Sequence, residues 1–321
     1  MTMQADPLRY DLYGLHQGNP YRTEPLDPLG RSGDRTLMVD IDWFVSTEAL
    51  RAYLRRTVEA GESAFVVVSG RDYTGRTTIA NHVLDVYRQV RDLESDRLLI
   101  SRIDVEHHHD FEWVKKAMVE LQTEIEEADL SLSPGLTASL DTIESIEEDV
   151  YQSRYRGLAR RLRGELWGQD QPCSFGVVFE GLRQTTLVEA MRKVFRSSQS
   201  IAVFTHGDYK HANTPSHEEL SRLDVHLIKL EPLHGDQVRH LAEQRWRSAS
   251  ELPSPFPPDS LEAAWPAPTP IKSVVSTLGA LVDMRLGSAA CHGPWPQNAE
   301  LEIPHRFMVS MIRVLKKVGA P

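Results

Sequence analysis

A parallel α/β sheet covered by helices, followed by a smaller helical domain, is the fold class this sequence predicts, and three observations predict it. Five short apolar runs rich in β-branched residues are separated by stretches of helical spacing, the alternation that builds βαβ units. Two of those runs, FVVV at 65–68 and the FGVVF core of the 173–180 strand that ends in Glu180, are apolar throughout, as in strands buried on both faces. From about residue 250 the pattern changes: Pro-rich SELPSPFPPD leads into helical periodicity.

Residues 1–36 read as an N-terminal arm, with turn signals at Gly18-Asn19-Pro20-Tyr21 and Asp27-Pro28-Leu29-Gly30. Tyr10, Leu12, Tyr13, Leu15 and Tyr21 are too apolar for a free tail, so the arm is expected to lie against the domain that follows. That domain spans 37–247. Ser46 or Thr47 with Glu48 starts a helix carrying Leu50, Tyr53, Leu54 and Val58, and Gly61 stops it. After strand 65–68 and a glycine-bracketed loop, Ile79, Val83, Leu84 and Val86 mark the apolar face of the next helix.

Residues 97–105 are the second strand, with Asp104 near its carboxyl end. Helices are expected at 111–128, with Trp113, Ala117, Leu121 and Ile125 on one face, and at 141–167, with LSLSPGLTASLD as a loop between them. Strands at 173–180, 201–204 and 225–230 complete five, separated by helices at 187–195 and 216–223 and followed by one at 236–246. Residues 248–321 form a helical lid domain with helices at 261–265, 271–286 and 307–318 and SAACHGPWPQNAELEIP as loop.

At 321 residues the chain has room for one large domain and a smaller attachment. Its net charge of −10 disfavours a protein that coats nucleic acid, and the acidic helix positions such as Glu124, Glu127, Glu144 and Glu148 read as solvated faces. Cys173 and Cys291 are far apart and lack metal-ligand spacing, so neither a disulfide framework nor a zinc site is expected. His107, His108 and His109 are consecutive, and neighbouring side chains diverge, unlike ligands at i and i+4. No apolar run approaches membrane-spanning length and the start lacks a leader pattern, so a cytoplasmic location without membrane contact is expected.

The chemistry concentrates in SGRDYTGRTT. Gly70 and Gly75 bracket four residues, and Arg76-Thr77-Thr78 opens a helix, the Walker A spacing GxxxxGK[ST] with Arg76 in place of lysine. Such a loop surrounds a phosphate chain with backbone N–H groups and a helix N-terminus, and Thr77 offers a hydroxyl to Mg²⁺. A guanidinium is broader than an ammonium, so Arg76 keeps the charge and alters the clamp. The strand ending at Glu180 has the Walker B outline, in which a terminal acid holds Mg²⁺ through Thr77 and Glu180 together; Gly181 stands where a water-polarising acid commonly follows. Thr205 and His206 end the next strand, where ligands of open α/β sheets sit.

The order of phosphate loop, acid-ended strand, polar-ended strand, short helix with Arg222, strand and helical lid resembles an AAA+ or STAND-type P-loop NTPase over residues 37–286. The segment YGLHQGNPY ahead of the loop resembles, more narrowly, the ExeA/TniB-type branch. The resemblance implies ATP or ADP with Mg²⁺ at Gly70, Thr74, Gly75, Arg76, Thr77 and Thr78. It places Thr205 or His206 at the sensor-1 position, Arg222 at the arginine-finger position and Lys272 at the sensor-2 position. With Arg76 and Gly181 departing from the pattern, it implies a regulatory or scaffold protein that switches a protein interaction or self-assembly with weak or absent hydrolysis. The alternatives are an active ATPase assembling on nucleic acid or a partner, and a structural remnant with no nucleotide.

Overall fold

The computed structural model describes residues 8–40, 46–105, 109–168, 172–207, 215–288 and 293–318. Its contacts divide the chain into two compact units: Asp42–Arg71 with Arg76–Leu230, and Met1–Ile41 with Asp72–Gly75 and Glu231–Pro321.

The first of these units holds the sheet. Strands β1 (Ala64–Gly70), β2 (Leu98–Asp104), β3 (Ser174–Glu180), β4 (Ile201–Gly207) and β5 (His226–Leu230) lie in the order β2-β3-β4-β1-β5, all parallel. Burial along each strand follows from this order. β1 and β4 are buried at every residue and β3 at all but Glu180, whereas edge strands β2 and β5 expose Arg102, Asp104 and Lys229. A parallel strand covered on both faces has no polar face to show, and an edge strand does.

Helices α1 (Thr47–Glu59), α2 (Arg76–Val90), α3 (Asp110–Glu127), α4 (Pro134–Leu140), α5 (Tyr151–Trp167), α6 (Thr185–Phe195) and α7 (His217–Arg222) belong to the same unit. Ser46 caps α1 by accepting from the Ala49 N–H at 3.3 Å, as its residue type predicts. One core joins Phe65, Val67, Phe175, Phe179 and Phe204 of the sheet with Trp113, Leu121, Tyr155 and Met191 of the helices; Phe179 and Phe204 stack with ring centroids 5.2 Å apart.

Two sequence expectations need correction here. The stretch read as loop, LSLSPGLTASLD, contains helix α4, because Pro134 is preset for a first helical turn and Leu136 and Leu140, one turn apart, are both buried. The helix expected from 141 begins only at Tyr151, after a short 3₁₀ turn at Ile143–Ser145 that buries Ile143. Acidic 147–149 carry no apolar periodicity with which to extend α5 backwards.

The second unit is helical: α8 (Gly235–Ala249), α9 (Pro258–Ala264), α10 (Ile271–Ser288) and α11 (His305–Val318). Sequence boundaries at 36 and 247 differ from the division by contacts at 41 and 230, and the arm joins these C-terminal helices. The reason is apolar and polar together. Tyr13 packs edge-on against Trp246 and donates to the Leu301 carbonyl, while buried Tyr21 packs on Phe256 and donates to the Ala242 carbonyl at 2.8 Å. Asn19 donates to the Gly279 carbonyl at 3.0 Å and to Asp283 at 2.8 Å, and Tyr10 reaches the same carboxylate at 2.8 Å. The segment GNPY is thus a clamp on α10. Fully buried Asp34 accepts from Arg22 and from Arg31, the latter at 2.8 Å, which closes the arm's second turn.

Candidate nucleotide site

β1 and α2 set the ends of the loop. Within it Tyr73 has φ +65° and Gly75 φ +90°, both left-handed, so the chain reverses over a few residues before entering α2 at Arg76. The left-handed φ favours glycine at 75, and a Cβ there would stand 3.2 Å from Ile271 Cγ2, a tight contact that the isoleucine would have to relieve. The first turn of α2 holds no acidic residue, and the positive dipole end of a helix suits an anion. Arg76, Thr77 and Thr78 are partly exposed there; Thr74 is buried and Arg71 to Tyr73 are exposed.

The tip of the loop, Asp72–Gly75, packs with the start of α10. The Lys272 N–H donates to the Tyr73 carbonyl at 3.0 Å, and Lys272 Nζ lies 4.9 Å from the centroid of the Tyr73 ring. Lys272, named from sequence only by its place after Thr269-Pro270, is therefore beside the loop tip.

At the carboxyl ends of the central strands, Glu180 is in register with Asp104 on β2 and Thr205 on β4. The Thr205 hydroxyl accepts from the Gly181 N–H at 3.1 Å, and Gly181 has φ +85°. This pair fixes the turn after the acid. His206 Nδ1 meets Ser69 Oγ of β1 at 3.0 Å, so both polar residues at the end of β4 anchor neighbouring strands.

Sequence reasoning missed Arg102. Its Nη1 lies 3.8 Å from Glu180 Oε1 while Nη2 donates to Asn81 Oδ1 of α2 at 2.6 Å, tying the strand-end acid to the helix that begins at the loop. The only signal in the chain is an arginine two residues before Asp104; that it faces Glu180 depends on the β2–β3 register.

Arg222 is placed elsewhere. It ends α7 at the amino edge of β5, opposite the carboxyl ends where the loop begins, and pairs with Glu218 at 2.5 Å with about three quarters of each side chain exposed. Of the three consecutive histidines, His107 and His108 lie outside the described residues and His109 is exposed at the start of α3. Among the described residues no group of three or more His, Cys, Asp or Glu could hold a metal, and no helix is long and apolar enough to cross a membrane.

The residues present fit a nucleotide phosphate chain. A glycine-bracketed loop runs into a helix N-terminus without acids, and Thr77 at the start of α2 and Glu180 at the end of β3 are hard oxygen donors of the type Mg²⁺ prefers.

No protein-family profile matches the chain, and no curated protein sequence matches it. Among solved structures it is similar to the ADP form of the ORC2 protein of Aeropyrum pernix, at 11% identity over 89% of this chain and 74% of that one, with a TM-score of 0.49. It is similar also to Cdc6p of Pyrobaculum aerophilum (13% identity, 84% and 68% covered, TM-score 0.45). A third is domain III of the replication initiation protein DnaA of Thermotoga maritima (13% identity, 87% and 95% covered, TM-score 0.42). All three scores lie below 0.5; the fold rests on the strand order and the loop described above.

Proposed function

We propose that this chain is an AAA+-like nucleotide-binding protein that acts as a protein-interaction switch with little ATP hydrolysis. The observation that carries this reading is the loop itself: a buried strand, a glycine in the left-handed region, and a helix whose first turn is free of acids. ATP or ADP would be held by the amides of residues 70–78 with Arg76 at the phosphates, and Mg²⁺ by Thr77 and Glu180. Bound Mg²⁺ would neutralise phosphate charge. Arg102 would bias Glu180 electrostatically from 3.8 Å, and Lys272 would report the state of the loop tip to α10 and, through Asn19 and Tyr10 on Asp283, to the arm.

Weak turnover follows from what this chain lacks. Gly181 carries no carboxylate to orient water, and Arg76 replaces the compact lysine charge. Losing one preorganised group typically costs a few kcal/mol of barrier, on the order of a hundred- to thousand-fold in rate. A steady-state assay on the purified chain is expected to give hydrolysis close to background. Turnover near one per second, abolished by Glu180→Gln, would overturn the switch reading in favour of an active ATPase. That second reading is favoured by one observation: Arg222 is exposed and away from its own loop, as a cation acting on a neighbouring copy must be. It requires hydrolysis that rises with protein concentration and falls in Arg222→Ala.

A further inference from the structure

The sheet-bearing unit holds a second concentration of phosphate-binding chemistry, at the amino edge of the sheet. Arg156 and Arg160 of α5, Arg192 and Lys193 of α6, Arg196 just after it and Arg222 of α7 surround one cleft of about 570 Å³. This is a chain of net charge −10, yet α5 alone carries Arg154, Arg156, Arg160, Arg161 and Arg163 against a single acid, Glu165. Like charges so close repel one another unless anions sit among them.

The arrangement is partly preset. Arg156 Nε donates to the Lys193 carbonyl at 2.7 Å and joins the two helices. Arg192 pairs with Asp224 at 2.7 Å, Arg196 with Glu62 at 2.9 Å and Arg222 with Glu218 at 2.5 Å; each of the three carboxylate side chains is at least 42% exposed. Exposed pairs of this kind contribute about 0–1 kcal/mol, so a multivalent anion can displace the carboxylates. Among the described residues Arg160 and Lys193 have no carboxylate partner.

The form of the cleft selects the ligand. Its volume falls within the roughly 300–1,000 Å³ of small-molecule sites, and its cations converge from three separate segments. Guanidinium forks match phosphate oxygens in pairs. A nucleic-acid backbone needs instead a track of positive charge that continues beyond one pocket, and here the six cations gather around a single cleft that also carries Glu189. We infer that this cleft binds a compact polyphosphate, a small molecule bearing three or more phosphoryl groups, at a site separate from the loop and independent of whether the loop holds nucleotide.

The test is calorimetric titration of the full chain with inorganic tripolyphosphate, without Mg²⁺, in Gly75→Val and in the double variant Arg156→Glu, Lys193→Glu. The expected result is saturable one-site binding that survives in Gly75→Val and weakens at least about tenfold in the cleft variant, with Arg156→Lys retaining most of it. Should Gly75→Val fail to fold, Arg76→Glu serves as the loop-disabled chain. The inference is overturned if the loop-disabled chain gives no heat at millimolar tripolyphosphate, or if the cleft variant binds as the unaltered chain does. It is overturned equally if a single-stranded oligonucleotide at matched phosphate concentration displaces tripolyphosphate from the loop-disabled chain, which would make the surface a nucleic-acid track.

Discussion

The two edges of the sheet approach phosphate in opposite ways. At the carboxyl edge the loop offers backbone: the left-handed turns at Tyr73 and Gly75 and the acid-free first turn of α2, with Arg71 and Arg76 as its cations. At the amino edge the cleft offers side chains, five arginines and a lysine gathered from three segments. Backbone recognition depends on conformation and so fails when a single φ is lost. Side-chain recognition depends on summed charge and erodes gradually.

Gly75→Val gives the sharpest separation and the largest effect. A β-branched residue at φ +90°, with Ile271 Cγ2 3.2 Å from its Cβ, carries strain of order 1–3 kcal/mol. Nucleotide affinity is expected to fall roughly ten- to a hundredfold, with tripolyphosphate binding at the cleft unchanged. Equal loss at both sites in a folded variant would break the comparison.

Gly181→Glu comes next. It restores the missing acid on paper, but at φ +85° the residue must either strain or move, disturbing the N–H that Thr205 accepts. Melting is expected to show a loss of about 1–3 kcal/mol, and hydrolysis to stay at background. A gain in turnover of a hundredfold would mean that the turn adapts and that the acid alone was limiting.

A smaller change, Arg76→Lys, sharpens the carboxyl edge by replacing the guanidinium at the lysine position of the loop with a compact cation. ATP is expected to tighten several-fold and ADP less, since the added contact is to the terminal phosphate. Equal tightening of both would place residue 76 elsewhere along the phosphate chain.

The smallest effect concerns the unit that carries the loop tip. Burial, then the hydrogen bond to Asp283, pushes Tyr10 up to about 12 from its ordinary value near 10. A folded-state pKa above the unfolded one contributes stability that is complete below pH 10 and is lost as pH rises from 10 to about 12. Melting curves across that window should show a fall in the unaltered chain that is shallower in Tyr10→Phe. Identical pH profiles would detach Tyr10 from the arm's anchoring.

Much of this was legible in the chain itself. All five strands are where uninterrupted or alternating apolar runs place them, and the glycine spacing at 70 and 75 marks the loop, because both signals are local. Helix α4 was not, since its seven residues hide two buried leucines inside a Ser- and Pro-rich stretch. Nor was the bridge from Arg102 to Glu180 and Asn81, which exists only through strand register. Lys272 was named by position, and its contact with Tyr73 gives that position a physical content. The cleft was invisible for the strongest reason: its cations are spread over residues 156–222 and converge only when α5, α6 and α7 are packed.

The central claim, that the loop at residues 70–78 binds nucleotide through its backbone, is tested most directly by calorimetry of the purified chain with ATP and with ADP, each with and without Mg²⁺. The account predicts saturable binding of both nucleotides that weakens roughly ten- to a hundredfold in Gly75→Val and is retained in the Arg156→Glu, Lys193→Glu cleft variant. Absence of heat at millimolar nucleotide, or binding that disappears in the cleft variant and is undiminished in Gly75→Val, would contradict it.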